Sequence, residues 1–269
     1  MWTPETLELR CADAWPAVIE EKVGDWRLRA AADRPPGSRP REDQVRASSD
    51  TQAGDDRNAA SAVPFTARAN STLAVGDPGL PVAEALKTVC EFAHSHRNPP
   101  VVQAIEDSET EREIAGAGWV PHSGHAAGHV VSVLTGALGD GAPEVTLSSS
   151  PSPGWWDLTV GTTHPSPAQR HVLTTGEVGF GTIEAGDVTA GALRAAVAGD
   201  ILLVARLAVR PQYRRQGLAK ALMAACGPWA AERGAKTCVL QVAIGNEPAL
   251  ALYRALGFAE HHRYRYWVR

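Results

Sequence analysis

From residue 201 onward the apolar positions follow two alternating rhythms. "ILLVARLAV" (201–209) is nearly unbroken in its apolar character, as a strand buried on both faces requires. In the stretch after it, Ala221, Leu222, Ala225 and Trp229 recur at three- and four-residue spacing, which predicts an amphipathic helix over "LAKALMAACGPWAAERG" (218–234). "AKTCVLQVA" (235–243) predicts a second strand, "NEPALALYRALGF" (246–258) a helix closed by glycine, and "RYRYWV" (263–268) a third strand.

The first half repeats this order with "FTARANSTLAV" (65–75), "GDPGLPVAEALKTVCEFAHSH" (76–96), "PPVVQAI" (99–105), "SETEREIAGAGW" (108–119) and "GHVVSVLT" (128–135). Val82, Leu86, Val89 and Ala93 carry the helical spacing here, and Gly118–Trp119 matches Gly257–Phe258 as the closing pair. The pattern therefore predicts two tandem βαβαβ modules, a duplicated α/β protein. Two copies are too few for a solenoid.

Between the elements, "DRPPGSRPREDQVRASSDTQAGDDRNAASA" (33–62) is rich in Pro, Ser, Asp and Arg and almost devoid of large apolar residues, so it reads as a disordered insertion. Glycine and proline cluster again in "TGALGDGAPE" (135–144). The expected boundaries are a first domain over 1–135 carrying the 33–62 insertion, a linker over 136–143 and a second domain over 144–269.

Composition narrows the function classes. The 269 residues are 44% hydrophobic, enough to bury a core, and their net charge of −4 argues against a general nucleic-acid binder. No apolar run approaches the ~20 residues that span a bilayer, and the N-terminus lacks the basic and apolar regions of a signal peptide. Cys11, Cys90, Cys226 and Cys238 form no CxxC pair, as suits reduced thiols in a cytoplasmic protein.

The chemistry-bearing stretch is "VRPQYRRQGLAKAL" (209–222). A strand runs into a basic turn and then a helix whose first N–H groups have no intrahelical partner. Gly217 and the small Ala219 allow close approach, and Arg214 and Arg215 stand at the rim, so the turn suits a pyrophosphate. On local physics alone a solvated basic turn is an equal alternative. Neither a Walker loop nor a GxGxxG follows a strand here. The matching turn of the first half, "AVGDPGLPVAEAL" (74–86), has Asp77 and two prolines in place of the arginines; Pro78 and Pro81 remove N–H donors and Asp77 repels phosphate.

The pattern R-x-x-G-x-A, with Asn246, Tyr253 and Gly257–Phe258 downstream, resembles the two signatures of the GNAT superfamily of N-acetyltransferases. The resemblance is close over 144–269 and holds in outline for the first half. It implies two tandem GNAT-like domains, each a mixed twisted sheet flanked by helices, with acetyl-CoA as the acyl donor and no metal. On the same basis Arg214, Arg215, Gln216, Gly217, Leu218, Ala219 and Lys220 would hold the pyrophosphate. Leu207, Ala208 and Val209 would meet the pantetheine and the acetyl carbonyl, Asn246 the cofactor arm, and Tyr253 would protonate the departing thiolate. A core tyrosine beside Leu252 and Leu256 is the structural alternative for Tyr253.

Many family members place a Glu on the fourth strand as base, where this chain has Ala205 and Arg206. Glu177, Glu184, His261, His262 and a relayed water stay open as the base. His94, His96, His122, His125 and His129 lack the pattern of a zinc site, and Trp155 and Trp156 fit a packed helix as well as a pocket wall.

The chain further resembles actinobacterial tandem proteins, some of them described as N-acetylglutamate synthases, in "WPAVIEEKVGDWRLRAA" (15–31) and "FTARANSTL" (65–73). The expected function is acetyl transfer to a primary amine of a small molecule, glutamate being one example. A non-catalytic acyl-CoA-binding regulator and a protein N-terminal or lysine acetyltransferase are the alternatives. The expected first half is a degenerate partner domain that helps shape the acceptor pocket; for the protein as a whole neither nucleic acid nor a membrane is an expected partner, and the oligomeric state is open.

Overall fold

The structure is a computed structural model that describes residues 2–31, 65–124 and 128–269. The expected insertion at 33–62 and His125 lie outside the described residues. The elements of the first half are α1 (Pro4–Asp13), β1 (Ile19–Val23), β2 (Trp26–Ala30), β3 (Thr72–Ala74), α2 (Val82–Ser95), β4 (Val101–Ile105), α3 (Glu109–Gly116), β5 (Val120–Pro121) and β6 (Val130–Gly136). Those of the second are β7 (Thr146–Ser148), α4 (Pro153–Val160), α5 (Pro167–Thr174), β8 (Glu177–Ala185), β9 (Val188–Ala198), β10 (Ile201–Val209), α6 (Leu218–Ala231), β11 (Thr237–Ala243), α7 (Glu247–Ala255) and β12 (Ala259–Val268).

Local chemistry accounts for most helix ends. The Thr3, Ser108, Ser152 and Ser166 side chains each accept from an N–H of the first helical turn. The two Gly-aromatic closures have one geometry. Gly118 and Gly257 take φ of +85° and +84°, and the next residue's N–H returns to Ile114 O and Tyr253 O respectively.

All the strands join one mixed sheet in the order β1-β2-β3-β4-β12-β6-β11-β10-β9-β8-β7, with β5 beside β12. Exchanging β1 with β8, β2 with β9, β3 with β10, β4 with β11 and β12 with β6 maps the order onto itself, β7 aside. The strand order of the first half thus recurs, reversed, in the second. One feature differs from two modules laid side by side: the third strands are exchanged. β12 pairs with β4, β6 pairs with β11, and β6 and β12 run antiparallel through the centre. The exchange makes one continuous sheet of the two halves, each third strand pairing with a strand of the other half.

"FTARANSTLAV" yields a strand only at Thr72–Ala74. Asn70 folds the preceding residues into a turn, donating to Thr66 O while its Oδ1 accepts from Ala31 N and Asn98 Nδ2. Trp155 is core: its ring stands edge-on to Phe180 and its Nε1 donates to Leu193 O at 2.7 Å.

The segment joining the halves is seated on α6. Pro228 lacks the N–H that would bond Ala224 O, and Gly141 N takes its place at 3.0 Å. A Cβ on Gly227 would meet Gly139 O at 1.7 Å. Gly227→Ala is therefore expected to destabilise the protein by about 2–3 kcal/mol, despite the ~1 kcal/mol that Ala gains over Gly in a helix. Urea unfolding checks this, and equal stability of the variant would show that the segment moves aside freely.

Candidate active site

β10 and β11 run parallel and pair through Ile201–Leu203 and Thr237–Val239. Beyond that point they diverge. β10 continues along β9 to Val209, and β11 continues along β6 to Ala243, so a wedge opens between them. A bulge in β10 lies at the wedge, between Ala205 and Ala208, with Arg206 at φ +56°.

The wedge has two unlike sides. Leu202 and Val204 pack with Leu222 and Met223 of α6 and Leu250 and Tyr253 of α7, and Leu207 borders this cluster. Ile201, Leu203 and Ala205 pack on the other face with Leu7, Trp15, Trp155 and Val172 of α1, its exit, α4 and α5.

At the mouth, a single 3-10 turn (Pro211–Tyr213) leads through Arg214, Arg215 (φ +64°), Gln216 and Gly217 (φ +82°) into α6. Gly217 is the N-cap of α6 and no side chain caps the helix. Its Cβ position is open space, and the first-turn N–H groups of Leu218, Ala219 and Lys220 have no intrahelical partner. Arg214, Arg215 and Lys220 are all exposed, and Arg214 Nε donates to Val209 O at 3.2 Å. The arrangement fits a pyrophosphate: N–H donors without an intrahelical partner, the positive end of a helix dipole and exposed cations.

The equivalent turn in the first half is filled by its own acids. Asp25 Oδ2 accepts from Asp77 N at 2.9 Å, Asp77 Oδ1 accepts from Gly79 N at 2.8 Å, and a Cβ on Gly76 would meet Asp25 at 2.6 Å. Two carboxylates thus stand in the loop that leads into α2 and would repel a phosphate there.

Tyr253 is buried in α7 with its ring 5.9 Å from Phe258. Its hydroxyl has no hydrogen-bond partner among the described residues. Burial, with a smaller contribution from Cys238, pushes its pKa up to about 12, so the phenol is a neutral donor at physiological pH. Asn246 is the N-cap of α7, its Oδ1 accepting from Ala249 N at 3.3 Å.

The open candidates for the base are dispersed. Glu177 pairs with Arg233 at 2.8 Å, level with the start of β10 and away from the wedge. Glu184 is exposed and accepts from Thr189 Oγ1. His261 and His262 lie in β12, bonded to each other through Nδ1 at 2.9 Å, with His262 Nε2 3.2 Å from Glu8 Oε1. No group of three His, Cys, Asp or Glu among the described residues is placed to hold a metal ion, and no described helix is long and apolar enough to cross a membrane.

A polar network on the Trp15 side escaped the sequence reading. Glu8 is 1% exposed and accepts from Gln103 Nε2 (2.5 Å), Gln241 Nε2 (3.1 Å) and His262 Nε2 (3.2 Å), so one carboxylate of α1 ties β4, β11 and β12 together. Its members stand at positions 8, 103, 241 and 262, with no local pattern to announce them.

This chain matches, over residues 51–267, the family model described as "Probable histone acetyltransferase Rv0428c C-terminal". The chain belongs to that family of GNAT acetyltransferases. GNAT acetyltransferases use acetyl-CoA as the acyl donor, in keeping with the mouth of α6. Among solved structures, the GCN5-related N-acetyltransferase from Kribbella flavida shares the fold, with TM-score 0.66 and 15% identity over 100% of this chain and 96% of that one. N-alpha-acetyltransferase 30 of Schizosaccharomyces pombe is 39% identical over 66 residues, 24% of this chain and 44% of that protein. The ribosomal protein bS18-alanine N-acetyltransferase of Escherichia coli is 44% identical over 54 residues, 20% of this chain and 36% of the relative. The matched segments thus span less than half of these curated relatives.

Proposed function

We propose that this GNAT protein is an acetyl-CoA-dependent N-acetyltransferase acting on a primary amine of a small molecule, with the working site at the β10–β11 wedge. The observation that carries the reading is the buried, neutral Tyr253 with an unpartnered hydroxyl, on the same side of the wedge as the uncapped start of α6. A phosphate sensor needs the second feature and has no use for the first.

In this reading Arg214, Arg215 and Gln216, with the N–H groups of Gly217, Leu218, Ala219 and Lys220, hold the pyrophosphate. Leu207, Ala208 and Val209 offer their free strand edge to the pantetheine arm, with Asn246 beside it, and a backbone N–H near Val209 polarises the acetyl carbonyl. Acetyl-CoA supplies an acyl thioester. The amine nitrogen forms the new C–N bond as the C–S bond breaks, Tyr253 gives its proton to the leaving sulfur, and the proton of the amine passes to solvent, from which Tyr253 is recharged.

The self-mapping strand order and the acid-filled turn of the first half support a tandem GNAT pair, with a degenerate first copy over 1–135, a linker over 136–143 and the working copy over 144–269. The resemblance to tandem proteins some of which are described as N-acetylglutamate synthases makes glutamate the first acceptor to try, and the cytoplasm is the compartment in which the protein would work. The names of the two curated relatives favour a second reading, acetylation of a protein N-terminus.

A CoA-release assay with amino acids, polyamines and peptides tests the proposal. Turnover with a small amine is expected. Turnover with peptides only would move the protein to the second reading, and tight acetyl-CoA binding without any turnover would make it a sensor.

A further inference from the structure

Three guanidinium groups surround one indole on the Trp15 side of the wedge. The Cζ atoms of Arg68, Arg194 and Arg206 lie 4.7, 5.0 and 6.0 Å from the Trp15 ring centroid, and Arg206 also lies 4.5 Å from the centroid of Phe65. None of the three forms an ion pair among the described residues. The buried carboxylate of the region, Glu8, is already engaged by Gln103, Gln241 and His262.

The charges are costly where they stand. Desolvation, then Arg68 and Arg206, push Arg194 down to about 9; desolvation, then Arg68, push Arg206 down to about 10. Arg194 has a structural role that accounts for it, since it donates to the carbonyls of Leu173, Ala14 and Val172 and thereby fixes α5 and the end of α1. Arg68 and Arg206 have no such account. Of five N–H donors each, Arg68 uses one on Gln241 Oε1 (3.2 Å) and Arg206 one on Thr159 O (3.3 Å). Their remaining nitrogens are not sealed away: among the described residues, the one buried side-chain nitrogen or oxygen without a partner is Trp15 Nε1.

We propose that Arg68 and Arg206, stacked about Trp15, seat a carboxylate of the acceptor, so that the substrate class is a small amine that also carries a carboxylate. This rests on the acetyl-transfer reading above. A guanidinium fork matches a carboxylate in shape and charge, and it holds one more firmly in a half-buried site than in water. Arg206 occupies the bulge of β10, one residue before Leu207, so an acceptor held there by its carboxylate presents its amine at the wedge. The same positive surroundings disfavour the ammonium form of the bound amine, easing loss of its proton to solvent at a strand position without a carboxylate base.

The test is acetyl transfer by the full chain to the twenty L-amino acids and to their α-amides, run alongside calorimetric titration of the same compounds into CoA-loaded protein. At least one amino acid is expected to exceed its amide by about tenfold or more in kcat/KM, the difference residing in KM. In Arg206→Gln that ratio falls towards one, with a KM for the acid raised about 10- to 100-fold. Arg68→Gln gives a second reading should Arg206→Gln fail to fold, as judged by thermal unfolding and CoA binding. Equal use of acids and amides by the unaltered protein, or an equal loss for both in the variants, overturns the proposal. If no compound is acetylated, the acetyl-transfer reading fails and calorimetry still decides. Amino-acid binding that weakens in Arg206→Gln upholds the carboxylate seat, and absence of binding by every amino acid overturns it.

Discussion

Tyr253→Phe is expected to lower kcat by about 10²- to 10³-fold, the range that a positioned general acid supplies. The affinity for acetyl-CoA should change by no more than about twofold, because the lost interaction acts on the leaving sulfur and not on the bound ground state. The variant is a clean one. The ring stays packed against Phe258, and removing a hydroxyl without a protein partner leaves no buried group orphaned. The same assignment fixes the pH dependence. Burial holds the phenol at about 12, so the proton it must donate is present throughout the neutral range and is lost only as the pH rises towards that value. In the profile of kcat, no descending limb from this acid is expected below about pH 11. Unchanged turnover in Tyr253→Phe, measured by CoA release, would give the role of acid to another group.

Glu8→Ala is expected to cost about 3–5 kcal/mol of stability, read by urea unfolding. The carboxylate is buried and accepts from three side chains on three strands. Truncation leaves those donors facing a cavity, and each unsatisfied buried donor costs about 1–3 kcal/mol. Glu8→Gln, which keeps the volume and one acceptor oxygen but turns an amide N–H₂ towards the other donors, should fall between the two. Because β4 belongs to the first half and β11 and β12 to the second, the loss should appear as a shift of a single transition. Two separated transitions would show that the halves unfold independently of this network. An Ala variant as stable as the parent would mean that water replaces the carboxylate without loss.

The two effects sit on opposite faces of the wedge, and they differ in how visible they were beforehand. Tyr253 lies within a linear signature, with Asn246 seven residues before it and Gly257–Phe258 just after, and these are fixed by a local need: a cap, a buried face and an αL turn on one short helix. The uncapped start of α6 is equally local, since a glycine in αL followed by strong helix formers leaves its N–H groups free wherever the chain runs. Glu8 and Arg206 read in isolation as a surface acid in a helix and a stray charge in a strand. The meaning of Glu8 comes from partners 95 to 254 residues away, and that of Arg206 from a bulge beside which it lies against Trp15 and Phe65.

The sequence by itself determined the order of strands and helices over 65–135 and 201–268, the matching Gly-aromatic closures and the basic turn that enters α6, because each depends on interactions within about a dozen residues. It also determined that the matching turn of the first half carries Asp77, Pro78 and Pro81 where the second half has its arginines. The tertiary structure alone decided that the third strands are exchanged between halves, that "FTARANS" is a turn tied down by Asn70, and that arginines crowd around Trp15. Pairing partners of a strand and the charge balance of a buried face are set by elements brought together across the whole chain, and no local pattern of apolar and polar positions records them.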